Sequence, residues 1–124
     1  MSEEANSSGF ACSMGEDGIL RLQLARGTVI DLDLVKRIEA RARELTGEKP
    51  GPMLVHGDNA RNIDRAARRY LANVVGPTAQ AVVVNSPIGR MIAGVFIGLS
   101  RESLPRRTFA TEEAAVEWLK GYVT

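Results

Sequence analysis

The chain has 124 residues, of which 44% are apolar and 25% charged, and its formal net charge is +1. This length suits one domain, and the balanced charge excludes a global attraction to nucleic acid or acidic lipid. The single cysteine, Cys12, excludes an internal disulfide and a cysteine-based metal centre, as is typical of a reducing cytoplasm. We therefore expect a soluble cytoplasmic protein without a cofactor.

The N-terminus is polar. Residues 1–9 read MSEEANSSG, without the basic and apolar regions of a signal peptide. The most apolar helix, predicted over Ile88–Leu99, is too short for a bilayer core about 30 Å thick. We expect a disordered segment over residues 1–9, a single domain over residues 10–124, and no membrane span.

The first half of the chain predicts a hairpin followed by alternating helices and strands. Asp-Gly turn residues separate two apolar runs, which is a β-hairpin signal. A helical apolar period follows and ends at Thr46-Gly47. The predicted elements are strands Phe10–Met14 and Ile19–Leu24, a helix capped by Asp31 or Asp33 and running to Leu45, strand Met53–His56, and helix Ile63–Val75.

The second half contains the most informative segment, AQAVVVNSPIGRMIAGVFIGL over Ala79–Leu99. Such an apolar strand, Ala81–Val84, must be covered on both faces. Helix Ile88–Leu99, strand Arg106–Ala110 and a helix over Glu112–Tyr122 capped by Thr111 follow. The alternation predicts an α/β fold with about five strands, mostly parallel with the hairpin at one edge, and about four helices.

Two parts of the chain carry a family resemblance: Ser86-Pro87 with Arg90–Ala93 and Phe96, and RTFATEEAAVEWL over Arg107–Leu119. They resemble the SpoIIAA-like family of STAS and SEC14-related domains, nearest to an uncharacterised actinobacterial branch. The resemblance covers roughly residues 10–122. It implies a SpoIIAA/STAS-like sheet and often a homodimer, acting as a protein docking module or a binder of small anionic or lipid-like ligands.

The regulatory phosphorylation of anti-sigma-factor antagonists does not carry over from this resemblance. Those proteins place a phosphorylated serine in an Asp-Ser-Ser/Thr-Gly motif at the start of the helix after a central strand. The matching stretch here, Gly57–Asp64, contains neither serine nor threonine. We therefore predict a module without that phosphorylatable serine.

Polar residues follow two strands of the predicted sheet. His56, Asp58 and Asn59 lie at the end of one strand, and Ser86 and Arg90 follow another. The carboxyl ends of parallel strands form the usual ligand crevice, so these five residues are the candidate ligand-binding set. A hydrolase using His56 and Ser86, with Asp58, is the enzymatic alternative. Ser86 lacks a Gly-x-Ser-x-Gly elbow, however, and Ser-Pro is ordinary helix capping.

A second alternative is an anion or nucleic-acid binder using the arginines of the predicted second helix. Acidic residues interleave with the basic ones, and no aromatic residues lie between the arginines for base stacking. We therefore expect no nucleic-acid partner. No group of residues has the spacing of a metal site. The arginines in question are Arg61, Arg65, Arg68 and Arg69.

The helix after Ser86 carries almost no charge, whereas a surface helix normally has a polar face. We expect Met91, Val95, Phe96 and Leu99 to form an interface with a second copy of the chain. Basic residues could border that interface or a ligand crevice. These are Arg90, Arg101, Arg106 and Arg107.

No complete catalytic constellation emerges from these patterns. We therefore interpret the chain as a non-catalytic regulatory or binding module, forming a homodimer, with a protein partner or a small apolar or anionic ligand.

Overall fold

The computed structural model describes residues 9–73, 76–99 and 104–123. It confirms the predicted α/β fold. The strands are β1 (Phe10–Met14), β2 (Leu20–Leu24), β3 (Thr28–Ile30), β4 (Gly51–His56), β5 (Ala60–Ile63), β6 (Pro77–Val83) and β7 (Arg106–Phe109). The helices are α1 (Leu32–Thr46), α2 (Arg65–Leu71), α3 (Pro87–Ile97) and α4 (Glu112–Leu119), and a 3-10 turn over Lys120–Tyr122 continues α4.

The main sheet has five strands in the order β1-β2-β4-β6-β7. The hairpin strands β1 and β2 are antiparallel, with Cys12 opposite Leu22, and the other neighbours are parallel. Val55 of β4 lies between Leu22 of β2 and Val82 of β6. The predicted mostly parallel sheet with a hairpin edge is therefore correct.

A second, two-stranded sheet was not predicted. β3 pairs in parallel with β5, and the helix expected to begin at Ile63 begins only after Asp64. Asn59 aligns the two strands because its carbonyl accepts hydrogen bonds from the backbone N–H groups of Gly27 (2.9 Å) and Thr28 (3.2 Å). The pairing partners are distant in sequence, so local periodicity could not indicate them.

The two faces of the main sheet are covered differently. Helices α1, α2 and α3, together with β5, pack on one face, which we call the three-helix face. Leu22, Met53 and Val82 contribute to this face from three central strands. Helix α4 packs on the opposite, α4 face, against Leu54 and Ala81. The apolar strand β6 is thus covered on both faces, as predicted.

Side-chain caps fix where the helices begin. Asp31 rather than Asp33 caps α1, because its carboxylate accepts from the backbone N–H of Leu34 at 2.8 Å. Asp33 instead pairs with Arg37 at 2.9 Å. Gly47 ends α1 in the left-handed region (φ 64°), which glycine adopts without strain.

Some predictions fall outside the described residues. These are the disordered N-terminal segment apart from Gly9, and the end of the predicted second helix at Val75. Within residues 9–73, 76–99 and 104–123, no helix is long and apolar enough to cross a membrane.

Candidate functional site

Asp58 connects the end of β4 to the start of α3. Its Oδ1 atom accepts hydrogen bonds from the backbone N–H groups of Asn85 (2.9 Å) and Ser86 (2.9 Å) and from the Ser86 hydroxyl (3.0 Å). Partial burial raises the pKa of Asp58, but the bonds to Ser86 and Asn85 and the charge of Arg90 outweigh it and lower the pKa overall. Asp58 is therefore held as a carboxylate that joins two loops.

Ser86 is the N-cap of α3, as the sequence predicted. Its Oγ atom accepts a hydrogen bond from the backbone N–H of Gly89 at 2.9 Å, and Pro87 occupies the first turn. A Cβ atom on Gly89 would lie 2.6 Å from Asp58 Oδ1 and 2.7 Å from Ser86 Oγ. The absence of a side chain at Gly89 therefore allows α3 to approach Asp58 closely.

His56 belongs to a separate group on the α4 face. Its Nε2 atom lies 2.8 Å from Glu112 Oε1, in the first turn of α4. Arg21 is close to the same carboxylate, at 3.7 Å, and forms a closer pair with Asp17 at 2.9 Å. Among the three residues of the suggested hydrolase set, Ser86 thus bonds directly to Asp58, whereas His56 contacts Glu112.

The remaining two candidate ligand residues differ in their surroundings. Asn59 donates from Nδ2 to the carbonyl of Leu24 at 2.9 Å, and so holds the β4–β5 loop against β2. Arg90 is exposed, and its charge acts on Asp58. The structure therefore brings Asp58, Ser86 and Arg90 together, while His56 and Asn59 contact other elements. A ligand-binding role for these five residues stays a prediction.

Helix α3 presents part of its apolar surface to solvent. Met91 is 67% exposed and Ile88 is 54% exposed. The other residues of the predicted interface, Val95, Phe96 and Leu99, are half-buried. The exposed surface is thus centred on Ile88 and Met91, near the beginning of the helix.

The arginines divide into paired and unpaired groups. On α1, Arg37, Arg41 and Arg43 form ion pairs with acidic residues of the same helix. Arg61 lies on β5 and not on the second helix, which corrects the predicted arginine helix. Within the described parts of the chain, no ion pair involves Arg61 or the α2 residues Arg65, Arg68 and Arg69.

Two adjacent cavities lie on the three-helix face. The outer cavity has a volume of about 490 Å³ and opens between α1 and the amino ends of β4 and β6. The inner cavity, of about 100 Å³, extends beneath α3 and has an apolar lining. Both are bounded by the same five residues, Val35, Ile38, Met53, Leu71 and Gln80. The outer volume is within the range of about 300–1,000 Å³ that small-molecule sites occupy.

Gln80 is the polar member of this shared boundary. It is 5% exposed, and its Oε1 atom accepts a hydrogen bond from Arg106 Nε at 2.6 Å. A guanidinium can only donate, so the amide oxygen must face Arg106 and the amide NH₂ must point the other way. That NH₂ group contacts Met53 Sδ at 3.4 Å, and a thioether is a weak acceptor.

Arg106 is buried rather than part of a basic border, which corrects its predicted place. It is 6% exposed and donates to the carbonyls of Leu99 (2.9 Å) and Leu71 (3.0 Å), with its guanidinium 4.5 Å from the centre of the Phe96 ring. These contacts fix the guanidinium, and the guanidinium in turn fixes the amide of Gln80. The predicted border residue Arg101 lies outside the described residues.

The sequence contains a sign that Gln80 makes a buried polar contact, although hydrophobic periodicity does not indicate it. Gln80 is the one amide within the strand PTAQAVV. A polar side chain inside a buried strand needs a hydrogen-bond partner, so it indicates a buried polar contact. The described residues contain no group of three or more His, Cys, Asp or Glu side chains able to hold a metal ion.

Comparison with solved structures places the fold. An uncharacterised protein of the DUF3478 family from Shewanella loihica PV-4, described as having a SpoIIAA-like fold, aligns with a TM-score of 0.60 over 89% of this chain and 91% of its own, at 13% identity. A protein of unknown function from Arthrobacter sp. FB24 is 31% identical over 88% of this chain and 97% of its own, with a TM-score of 0.36. The alignment with the Shewanella protein confirms the predicted SpoIIAA-like resemblance at the level of fold.

Sequence comparison gives the family but no activity. A search of curated proteins finds no match. The family model described as "Domain of unknown function (DUF7793)" matches residues 13–123, which is most of the chain. The chain therefore belongs to the DUF7793 family and has a SpoIIAA-like fold.

Proposed function

We propose that the protein is a non-catalytic binding module that holds a small, largely apolar molecule in the outer and inner cavities. The observation that supports this most directly is the space between α1, α2, α3 and the sheet, which is apolar beneath α3 and mostly apolar in the outer cavity, where Glu39, Arg43 and Lys49 also contribute to the lining. It is large enough for a small ligand, and one buried amide lies on its boundary. Apolar walls with a few placed polar groups are typical of small-molecule sites.

We propose a module without catalysis because of the hydrogen bonds that the polar groups at the carboxyl ends of the strands make. Asp58 and Ser86 bond to each other and to backbone N–H groups at the start of α3. His56 contacts Glu112 instead of Ser86. A nucleophilic serine needs a base within hydrogen-bond reach that is itself oriented by a third group. The contacts of Ser86 are instead those of a helix N-cap.

Binding of the neutral fluorescent probe N-phenylnaphthylamine tests the proposal. We expect saturable binding by the wild-type protein. Ala42 is half-buried on the outer cavity, so Ala42→Phe places a ring in the space and should weaken binding by about tenfold or more. Ala40→Phe is the matched control, because Ala40 is exposed on the same helix.

The two variants separate a cavity from a surface site. Equal probe affinity in Ala42→Phe and the wild type would contradict binding in the outer cavity. Absence of saturable binding to the folded wild-type protein would contradict the proposed function itself. Circular dichroism confirms that each variant is folded.

We also propose that α3 forms a contact between two copies of the chain, supported by the exposure of Met91 and Ile88. Met91→Glu would place a charge in that contact, so it should shift sedimentation equilibrium from dimer to monomer. Ala114→Glu, at an exposed position on α4, is the control. A wild-type protein that sediments as a monomer at micromolar concentration would contradict the dimer.

Binding to an anionic partner is a second candidate function, favoured by the arginines of α2 that have no ion pair among the described residues. Electrostatic binding to nucleic acid is strongest at low salt. If mixed oligonucleotides do not bind at low ionic strength, the nucleic-acid form of this candidate fails.

A further inference from the structure

We propose that Gln80 selects ligands that end in a carbonyl or carboxylate oxygen. This inference rests on the proposed function, because it concerns which apolar molecule the two cavities accept. Its starting point is geometric. Gln80 is the buried polar side chain on the boundary that both cavities share, so it can contact a molecule in either one.

The orientation of the Gln80 amide is fixed by Arg106. The bond from Arg106 Nε to Gln80 Oε1 is 2.6 Å long, and the other guanidinium nitrogens donate to the carbonyls of Leu99 and Leu71. Because the guanidinium has no acceptor atom, a flipped amide would direct donors against donors. The NH₂ group of Gln80 must therefore lie on the side of Met53 and the cavities.

This NH₂ group has hydrogen-bonding capacity to offer a ligand. It carries two N–H bonds, and its one hydrogen bond among the described residues goes to Met53 Sδ at 3.4 Å. A buried donor without a good acceptor is unfavourable, and the Arg106 bond polarises the amide so that it donates more strongly. An sp² oxygen at the end of an apolar molecule would accept this bond.

The neighbouring residues explain why the rest of the ligand should be apolar. Val35, Ile38, Met53 and Leu71 form the remainder of the shared boundary, and they offer no strong donor or acceptor on their side chains. A second polar group on the ligand would lose its hydration there without a partner. The ligand class is thus a molecule whose part beside the shared boundary is apolar and ends in a carbonyl or carboxylate oxygen.

Three molecules of similar shape test this selection. Benzylacetone carries a ketone where isopentylbenzene carries a methyl-bearing carbon, and hydrocinnamate replaces the ketone with a carboxylate. Each displaces N-phenylnaphthylamine from the wild-type protein in a competition titration. We expect Gln80→Met to weaken benzylacetone and hydrocinnamate by about tenfold, the effect of one hydrogen bond, and to leave isopentylbenzene unchanged.

Gln80→Glu provides a second variant that retains the contact with Arg106. Its carboxylate still accepts from the guanidinium, while the donor on the cavity side is lost. Benzylacetone should therefore weaken as in Gln80→Met, and hydrocinnamate should weaken most, because two carboxylates repel each other. Gln23→Met is the control, since Gln23 lies on β2 outside both cavity boundaries.

The outcomes separate the inference from the proposed function. If the probe binds but both Gln80 variants keep the wild-type ratio of ketone to hydrocarbon affinity, selection by Gln80 is wrong and the binding module remains. If neither the probe nor any of the three molecules binds the folded wild-type protein, both proposals fail. A selective loss of the two oxygen-bearing ligands in the Gln80 variants supports both.

Discussion

The two ends of the parallel strands differ in how their polar groups are used. At the carboxyl ends, Asp58 is exposed and Ser86 is half-buried, yet their hydrogen bonds hold the β4–β5 loop to the start of α3. On the amino side, the outer cavity has a mostly apolar lining with charged residues of α1 and the following loop at its edge, and the NH₂ group of Gln80 has, among the described residues, a thioether as its acceptor. A polar residue of the sheet therefore points to a ligand site only where its hydrogen-bonding capacity is unfilled.

The largest expected effect comes from the cation that orients Gln80. Arg106→Met leaves acceptors on Gln80, Leu71 and Leu99 without their buried donor, so the free energy of unfolding should fall by about 3 kcal/mol. Arg107→Met should change it by less than about 0.5 kcal/mol, because Arg107 is exposed on the next position of β7. Urea unfolding measures both, and equal effects would contradict a special role for Arg106.

Asp58 tests the structural role of the carboxyl end. Asp58→Ala removes an acceptor of several bonds to Asn85 and Ser86, so we expect a loss of about 2 kcal/mol in unfolding free energy. The folded variant should keep the wild-type affinity for benzylacetone. Asp33→Ala, which removes an exposed ion pair with Arg37, should cost less than about 0.5 kcal/mol. A loss of benzylacetone affinity in Asp58→Ala would indicate a ligand at the carboxyl ends of the strands and would contradict binding beside Gln80.

The smallest effect concerns the acid side of the stability profile. The hydrogen bond from Arg21 lowers the pKa of Asp17 from 3.8 to about 2. A folded-state pKa below the unfolded one means that this stabilisation is complete above pH 3.8 and is lost as the pH falls through about 2. The stability difference between wild type and Asp17→Asn should therefore shrink across that window in urea titrations. A constant difference would contradict the Arg21 contact.

Much of the fold could be predicted because its signals are local. The Asp-Gly turn at Asp17, the Ser86 cap and the apolar run of β6 each depend on a few adjacent residues. The β3–β5 pair could not be predicted in this way, because its two strands are distant in sequence and meet only in the folded chain. The sequence places Arg61 on a helix for the same reason, because nothing local indicates that β5 pairs with β3.

The candidate site was harder to predict than the fold. The sequence suggests a site at His56, Asp58 and Ser86 because these side chains can take part in catalysis or binding. The contacts that they make depend on how α3 and α4 pack on the sheet. Gln80 and Arg106 are distant in sequence and meet only because β6 and β7 are neighbours with these residues in register. The amide within an apolar strand was the one local sign of that contact.

The methionines allow a direct test of where a ligand binds. Met53 lies on the boundary of both cavities and Met14 on that of the outer cavity, whereas Met91 is exposed on α3. The measurement is a benzylacetone titration of protein labelled with ¹³C in the methionine methyl groups, because the aromatic ring shifts nearby methyl signals. Our account predicts a saturable shift of Met53, with a smaller shift of Met14 and none of Met91. A shift of Met91 with Met53 unmoved would contradict it.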